Sequence, residues 1–130
     1  MIDKLAWIYV KDKKCLCCKS DDRDKYYLPG GQREQGESDI EALARKIKEE
    51  ASVDLLIDTI KYYGEFEAQA HAKPEGTFVK MTCYSGEFVG ELKPDSEVEK
   101  IGWLDTSNRD SLSDVGKLIF EDLKEKGLID

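Results

Sequence analysis

Apolar residues recur along this chain with two different periods, and the switches between them mark its elements. Residues 5–10 form an almost wholly apolar run; the polar turn Lys11-Asp12-Lys13-Lys14 separates it from a second short run, residues 15–18. The pair reads as a β-hairpin, and a loop over residues 20–25 follows it. From Asp39 the period becomes helical. Ile40, Leu43, Ala44, Ile47 and Ala51 share one stripe, Ser38 stands at the N-cap, and Glu41 completes a capping box, which predicts a helix over about residues 39–52. Strands are expected near residues 60–68 and 77–89, joined through the turn Pro74-Glu75-Gly76, and another near 99–104 after Pro94-Asp95. A last helix is capped near Ser113, turns Val115, Leu118, Ile119 and Leu123 inward, and stops at Gly127. No repeat, linker or low-complexity tract interrupts the order strand, strand, helix, strand, strand, strand, helix.

The polar side of the first helix carries the chemistry. At about 100° per residue, Arg45, Lys46, Glu49 and Glu50 fall on the arc left free by the apolar stripe. Two carboxylates about 4 Å apart repel by about 4 kcal/mol at an effective dielectric near 20, so adjacent glutamates aimed into one cleft call for a cation. Oxygen ligands of this kind suit Mg²⁺ or Mn²⁺. Just before the helix, Leu28-Pro29-Gly30-Gly31 offers a glycine pair that lets the backbone approach a ligand closely and present its amides, an oxyanion cradle.

Gly31, Glu37, Arg45, Ile47, Glu49, Glu50 and Val53 follow the spacing Gly-x5-Glu-x7-Arg-x-apolar-x-Glu-Glu-x-x-apolar. This pattern resembles the box of the Nudix (MutT-like) hydrolases, with Lys46 where the family has a Glu and Ser52 where it has a Gly. The resemblance implies an α/β (α+β) fold, an α/β/α sandwich with a mixed β-sheet between helices, in a single domain over residues 1–130. It implies a metal-dependent pyrophosphohydrolase that cleaves a diphosphate linkage in a nucleoside-diphosphate-type substrate through in-line attack of water at phosphorus. Glu49 and Glu50 would bind one to three Mg²⁺ or Mn²⁺ ions, Glu37 would add to the metal site, Arg45 would orient a carboxylate, and Gly30 and Gly31 would form the loop beside the substrate. The late run 96–104 resembles the segment that often supplies a further acid, which makes Glu97 the expected ligand or base, against its reading as an exposed loop acid.

The two departures sharpen the expectation. An ammonium flanked by carboxylates stays charged near neutrality, so Lys46 cannot act as the base that the family's Glu supplies in some members. It can hold a phosphate oxygen, or pair with Glu50 one turn on, which contributes about 0.2–0.5 kcal/mol on an exposed helix. Ser52 replaces the residue best suited to a left-handed helix end, at a cost of about 1–2 kcal/mol, and a shifted helix end is expected instead. A catalytically impaired nucleotide- or metal-binding module is the second functional reading.

Composition narrows the partners. The 130-residue chain falls in the single-domain range, and its net charge of −8 argues against a binder of DNA or RNA duplexes or of membrane surfaces. A small-molecule diphosphate is the expected partner, with a homodimer also allowed. Residues 5–10 are too few for a signal or membrane segment, so a cytoplasmic protein is expected. Cys15, Cys17 and Cys18 lack the spacing of a structural zinc site and read as reduced strand residues, Cys18 facing away from the other two. His71 falls in the 68–76 loop and reads as a surface residue. Lys19 resembles a phosphate-contacting cation of the family, and Arg33 follows the glycine loop. Tyr27, Phe78 and Trp7 are the aromatics available to stack on a base, against an ordinary place in the core.

Overall fold

The strand Ile2–Ile8 is buried on both faces over its second half, Leu5 to Ile8, and this organises the fold. The structure, a computed structural model, describes every residue except Asp22. In chain order the elements are β1 (Ile2–Ile8), β2 (Val10–Lys11), β3 (Lys14–Ser20), β4 (Gly30–Gly31), α1 (Asp39–Ala51), β5 (Asp54–Leu55), a 3₁₀ turn (Ile57–Thr59), β6 (Lys61–Gln69), β7 (Phe78–Ser85), β8 (Phe88–Val89), β9 (Val98–Leu104), a second 3₁₀ turn (Thr106–Ser111) and α2 (Asp114–Glu125).

The central sheet has the order β4-β1-β7-β6 and is mixed. β1 runs parallel to β7, from Ile2 opposite Val79 to Ile8 opposite Ser85, while β4 and β6 flank the pair antiparallel. Because successive side chains of a strand point to opposite faces, Leu5 and Trp7 pack with Leu43, Ile47 and Ala51 of α1, whereas Ala6 and Ile8 pack with Val115, Ile119, Phe120 and Leu123 of α2. This is the expected sandwich, a mixed sheet between helices. A second sheet, β2-β3-β9, and the small pair β5-β8 complete the strands.

Several expectations are corrected. Leu5 to Val10 does not form one hairpin strand. The chain changes sheets at Tyr9, so only Val10 and Lys11 pair with the strand that carries the cysteines, and β1 joins β7 instead. The long strand expected over 77–89 breaks at Gly86, whose carbonyl accepts a 3.0 Å hydrogen bond from Trp7 Nε1. On α1 the fully buried alanines are Ala51, as expected, and Ala42, with Ala44 only half-buried, and on α2 Phe120 takes the core place expected of the exposed Leu118.

The N-terminal cap of α1 is as read: Ser38 Oγ accepts from the Glu41 amide and Glu41 Oε1 from the Ser38 amide. Its C-terminus is not displaced. Ser52 itself takes the left-handed conformation, at φ 66° and ψ 16°, and its hydroxyl donates to the Lys93 carbonyl at 3.0 Å. With the Lys93 and Asp95 amides donating to the Ala51 and Glu50 carbonyls, this ties the segment ahead of β9 to the helix end. Cys15, Cys17, Cys18 and Cys83 are buried free thiols. No helix of the described residues is long and apolar enough to cross a membrane.

Candidate active site

A cleft of about 270 Å³ opens where Lys4 of β1, Gly30 and Gly31 of β4, and Lys46 and Glu50 of α1 come together. Its size lies just under the usual range for small-molecule pockets. The register of β4 on β1 sets the geometry. Leu5 stands opposite Gly31 and Ala6 opposite Gly30, so closely that a Cβ on Gly30 would lie 2.0 Å from the Leu5 carbonyl oxygen.

Glu50 is the buried acid of the cleft, 9% exposed. The Gly30 amide donates to its Oε1 at 2.8 Å and so orients the carboxylate. Burial pushes Glu50 up to about 7, opposed by the Gly30 amide and by the Lys46 ammonium. The expected oxyanion cradle therefore loses one of its amides, because the Gly30 N–H serves the carboxylate.

Lys46 lies flat against Gly31, where a Cβ would be 2.4 Å from its Cε and 3.3 Å from its Nζ. Among the described residues its one carboxylate within 4.0 Å is Glu49 Oε1, at that limit, so the expected pairing with Glu50 is not made. The ammonium is left facing the cleft.

Glu49 and Glu50, adjacent in sequence, part company. Glu49 is exposed and bound at 2.9 Å by Arg45 Nη1. The same guanidinium grips Glu37 with Nε at 2.8 Å and Nη2 at 2.9 Å, and holds Glu37 down to about 2. The carboxylates that Arg45 holds are those of Glu37 and Glu49, neither of which lines the cleft. It also donates to the Gln32 carbonyl, fastening the glycine loop to the helix.

Glu97 joins Glu50 in lining the cleft, brought there by the ties between the 93–95 segment and the end of α1. Lys19 is not part of the lining; the next residue, Ser20, is, with its Oγ 2.6 Å from Tyr27 OH. Tyr27 and its neighbour Tyr26 are the aromatics of the cleft. Trp7 is wholly buried in the core and Phe78 lies elsewhere on the surface. Arg33 is spent on Asp39 and Asp3.

Sequence reasoning missed Lys4, Arg23, Lys25 and Lys73, which also line the cleft. They come from β1 and two separate loops, so no local spacing could join them. His71 reaches across from the β6–β7 loop to Asp24 at 2.7 Å and also borders the cleft, an engaged residue and not simply a surface one.

The four-glutamate metal set expected from the sequence is divided between the Arg45 clamp and the cleft. No group of three or more His, Cys, Asp or Glu side chains among the described residues stands close enough to hold a metal ion. What the cleft does contain is a buried carboxylate whose charge is disfavoured by its surroundings, with a second acid nearby. These hard oxygen donors fit one divalent cation on Glu50.

The NUDIX domain model matches residues 4–112, which include the glycine loop, α1 and Glu97. The chain belongs to the NUDIX family. It is therefore a Nudix hydrolase by family, a class acting on phosphorus-containing anhydrides. No curated protein matches it in sequence. Among solved structures it is similar to a Nudix hydrolase from Nitrosomonas europaea, with 21% identity over 98% of this chain and 91% of that one, at a TM-score of 0.77. A MutT protein from Methanosarcina mazei superposes at 0.76, with 19% identity over 97% of this chain and 94% of its own. The dihydroneopterin triphosphate pyrophosphohydrolase of E. coli superposes at 0.73, with 18% identity over 95% of each chain. At these identities the likeness is one of fold.

Proposed function

We propose that this Nudix protein is a metal-dependent pyrophosphohydrolase that cleaves a diphosphate linkage in a nucleoside-diphosphate-type substrate by in-line water attack in the Glu50 cleft. The observation that carries the reading is Glu50 itself: a buried acid oriented by a backbone amide, in a cleft otherwise rich in cations. Strongly perturbed acids in clefts mark functional sites.

Glu50 would hold the Mg²⁺ or Mn²⁺ ion, with Glu97 as a further ligand or as the base. A bound cation supplies charge to the diphosphate oxygens and lowers the pKa of water. Arg45 keeps Glu37 and Glu49 fixed and so holds the glycine loop against α1. Lys46 lines the same cleft, and its ammonium would offset charge developing on the leaving group. Tyr26 and Tyr27 line it as well and would face the organic moiety. The buried free thiols support a cytoplasmic setting.

Phosphate release, coupled through pyrophosphatase and phosphatase, should be measured over nucleoside triphosphates, oxidised nucleotides, nucleotide sugars and dinucleoside polyphosphates, with and without metal. Turnover of one class that chelator abolishes, and that Glu50→Gln removes without unfolding the protein, is the expected result. Near wild-type turnover in Glu50→Gln would remove Glu50 from the mechanism.

Lys46 favours one second reading, a Nudix module that binds its ligand without hydrolysing it. Here the panel is silent while metal still binds, and Lys46→Glu restores turnover. A silent Lys46→Glu protein places the defect elsewhere.

A further inference from the structure

The charge of the cleft runs against that of the chain. Over the whole sequence acids exceed bases, with a net charge of −8. Yet the cleft is lined by Lys4, Arg23, Lys25, Lys46 and Lys73, against the acids Glu50 and Glu97. Glu50 is engaged by the Gly30 amide and Glu97 is exposed at the edge. A cleft built only of carboxylates repels a phosphate chain until metal ions reverse its sign. This cleft already has the opposite sign.

Two of the cations are held in place by the fold. Lys46 rests on Gly31 because that position has no side chain. Lys4 stands next to the residue that pairs with Gly31 and is half-buried. Burial, then the charges of Arg23 and Lys73, push the Lys4 ammonium below its ordinary range, with Lys46 adding to the effect and Glu50 opposing it. Ammonium and guanidinium groups crowded in this way gain from a polyanion among them.

We propose that Lys46 and Lys4 hold the phosphate oxygens of the ligand directly, so that the diphosphate binds without a divalent cation and metal serves cleavage alone. This deepens the hydrolase reading and rests on it for the identity of the ligand. On this view the Lys that replaces the family's Glu is a binding group that takes over charge otherwise supplied by a second cation.

The test is calorimetric titration of the full chain with inorganic pyrophosphate, in excess chelator and again in Mg²⁺, at fixed ionic strength. Wild type should bind in chelator within about threefold of its affinity in Mg²⁺. Lys46→Met and Lys4→Met should each weaken binding in chelator by about tenfold. Gly31→Ala should do the same by displacing only the flexible end of Lys46, and a melting curve checks each variant's fold. Binding that appears only with Mg²⁺, or a folded Lys46→Met protein that binds in chelator as wild type does, would overturn the proposal. The substrate panel separates this from the reading beneath it. Metal-dependent turnover together with metal-dependent pyrophosphate binding sinks the proposal and keeps the hydrolase, whereas binding in chelator with a silent panel does the reverse. No binding under either condition sinks the proposal.

Discussion

The backbone amide of Gly30 and the carboxylate of Glu50 meet at 2.8 Å, joining the glycine loop to the last turn of α1. The acid sits there at a cost, since burial raises its pKa from 4.5 to about 7. A raised acid stabilises the fold while protonated. That contribution is full below about pH 4.5 and is lost as pH rises through about 7, amounting to of order 3 kcal/mol. Glu50→Gln keeps the acceptor and removes the charge. In chelator it should melt several degrees above wild type at pH 8 and close to wild type at pH 4.5. Mg²⁺ should raise the wild-type melting temperature at pH 8 and leave Glu50→Gln unmoved. An equal difference between the two proteins at both pH values would mean that Glu50 is not the titrating group.

Arg45 spans Glu37, Glu49 and the Gln32 carbonyl with one planar fork. A lysine offers a single point charge and cannot reproduce it, so Arg45→Lys should lose about 1–2 kcal/mol in urea denaturation. Glu37, held at about 2 by the guanidinium, should then titrate nearer the ordinary carboxylate range. A ¹³C carboxyl titration by NMR reads this directly, and an unmoved Glu37 would show that Lys replaces the clamp.

The two glycines of the loop should respond differently to alanine. A Cβ on Gly30, at φ 150°, would strike the Leu5 carbonyl and Ala6 Cα, both backbone atoms that cannot step aside. Gly30→Ala should therefore cost about 3 kcal/mol or more, or fail to fold. Gly31→Ala meets only the end of Lys46 and should cost under about 1 kcal/mol. Comparable denaturation midpoints would contradict the register of β4 on β1.

Ser52 holds a left-handed conformation, at φ 66°, that glycine adopts freely. Ser52→Gly should stabilise the protein by roughly 0.5 kcal/mol, the relief of backbone strain exceeding the loss of the exposed 3.0 Å bond to Lys93. A loss of stability would make that hydroxyl the more important of the two.

The legible parts were those set by short-range pattern. The capping box at Ser38 and Glu41, the apolar stripe ending at Ala51 and the loop-then-helix placement of the Nudix spacing all depend on residues within a few turns of one another. Partner choice between distant strands was not legible. An apolar run at residues 5–10 fits a hairpin as well as a strand buried on both faces, and only the pairing with β7 decides between them. The site shows the same division. Helical spacing put Glu49 and Glu50 on one arc, but whether a side chain turns outward to Arg45 or inward to Gly30 depends on tertiary neighbours. Lys4 escaped notice because its role comes from cations supplied by other segments.

The parallel pairing of β1 with β7 also sets a timetable. The first strand made waits for residues more than half the chain away before it gains its central neighbour. Gly30 leans on that strand, and Glu50 leans on Gly30. A nascent chain that stops short of residue 78 can form the α1 helix with every residue of the Nudix spacing and still have no seat for its acid. Such non-local contacts fold slowly. Recovery of ligand binding after denaturation should therefore coincide with closure of the central sheet and lag behind the return of helix.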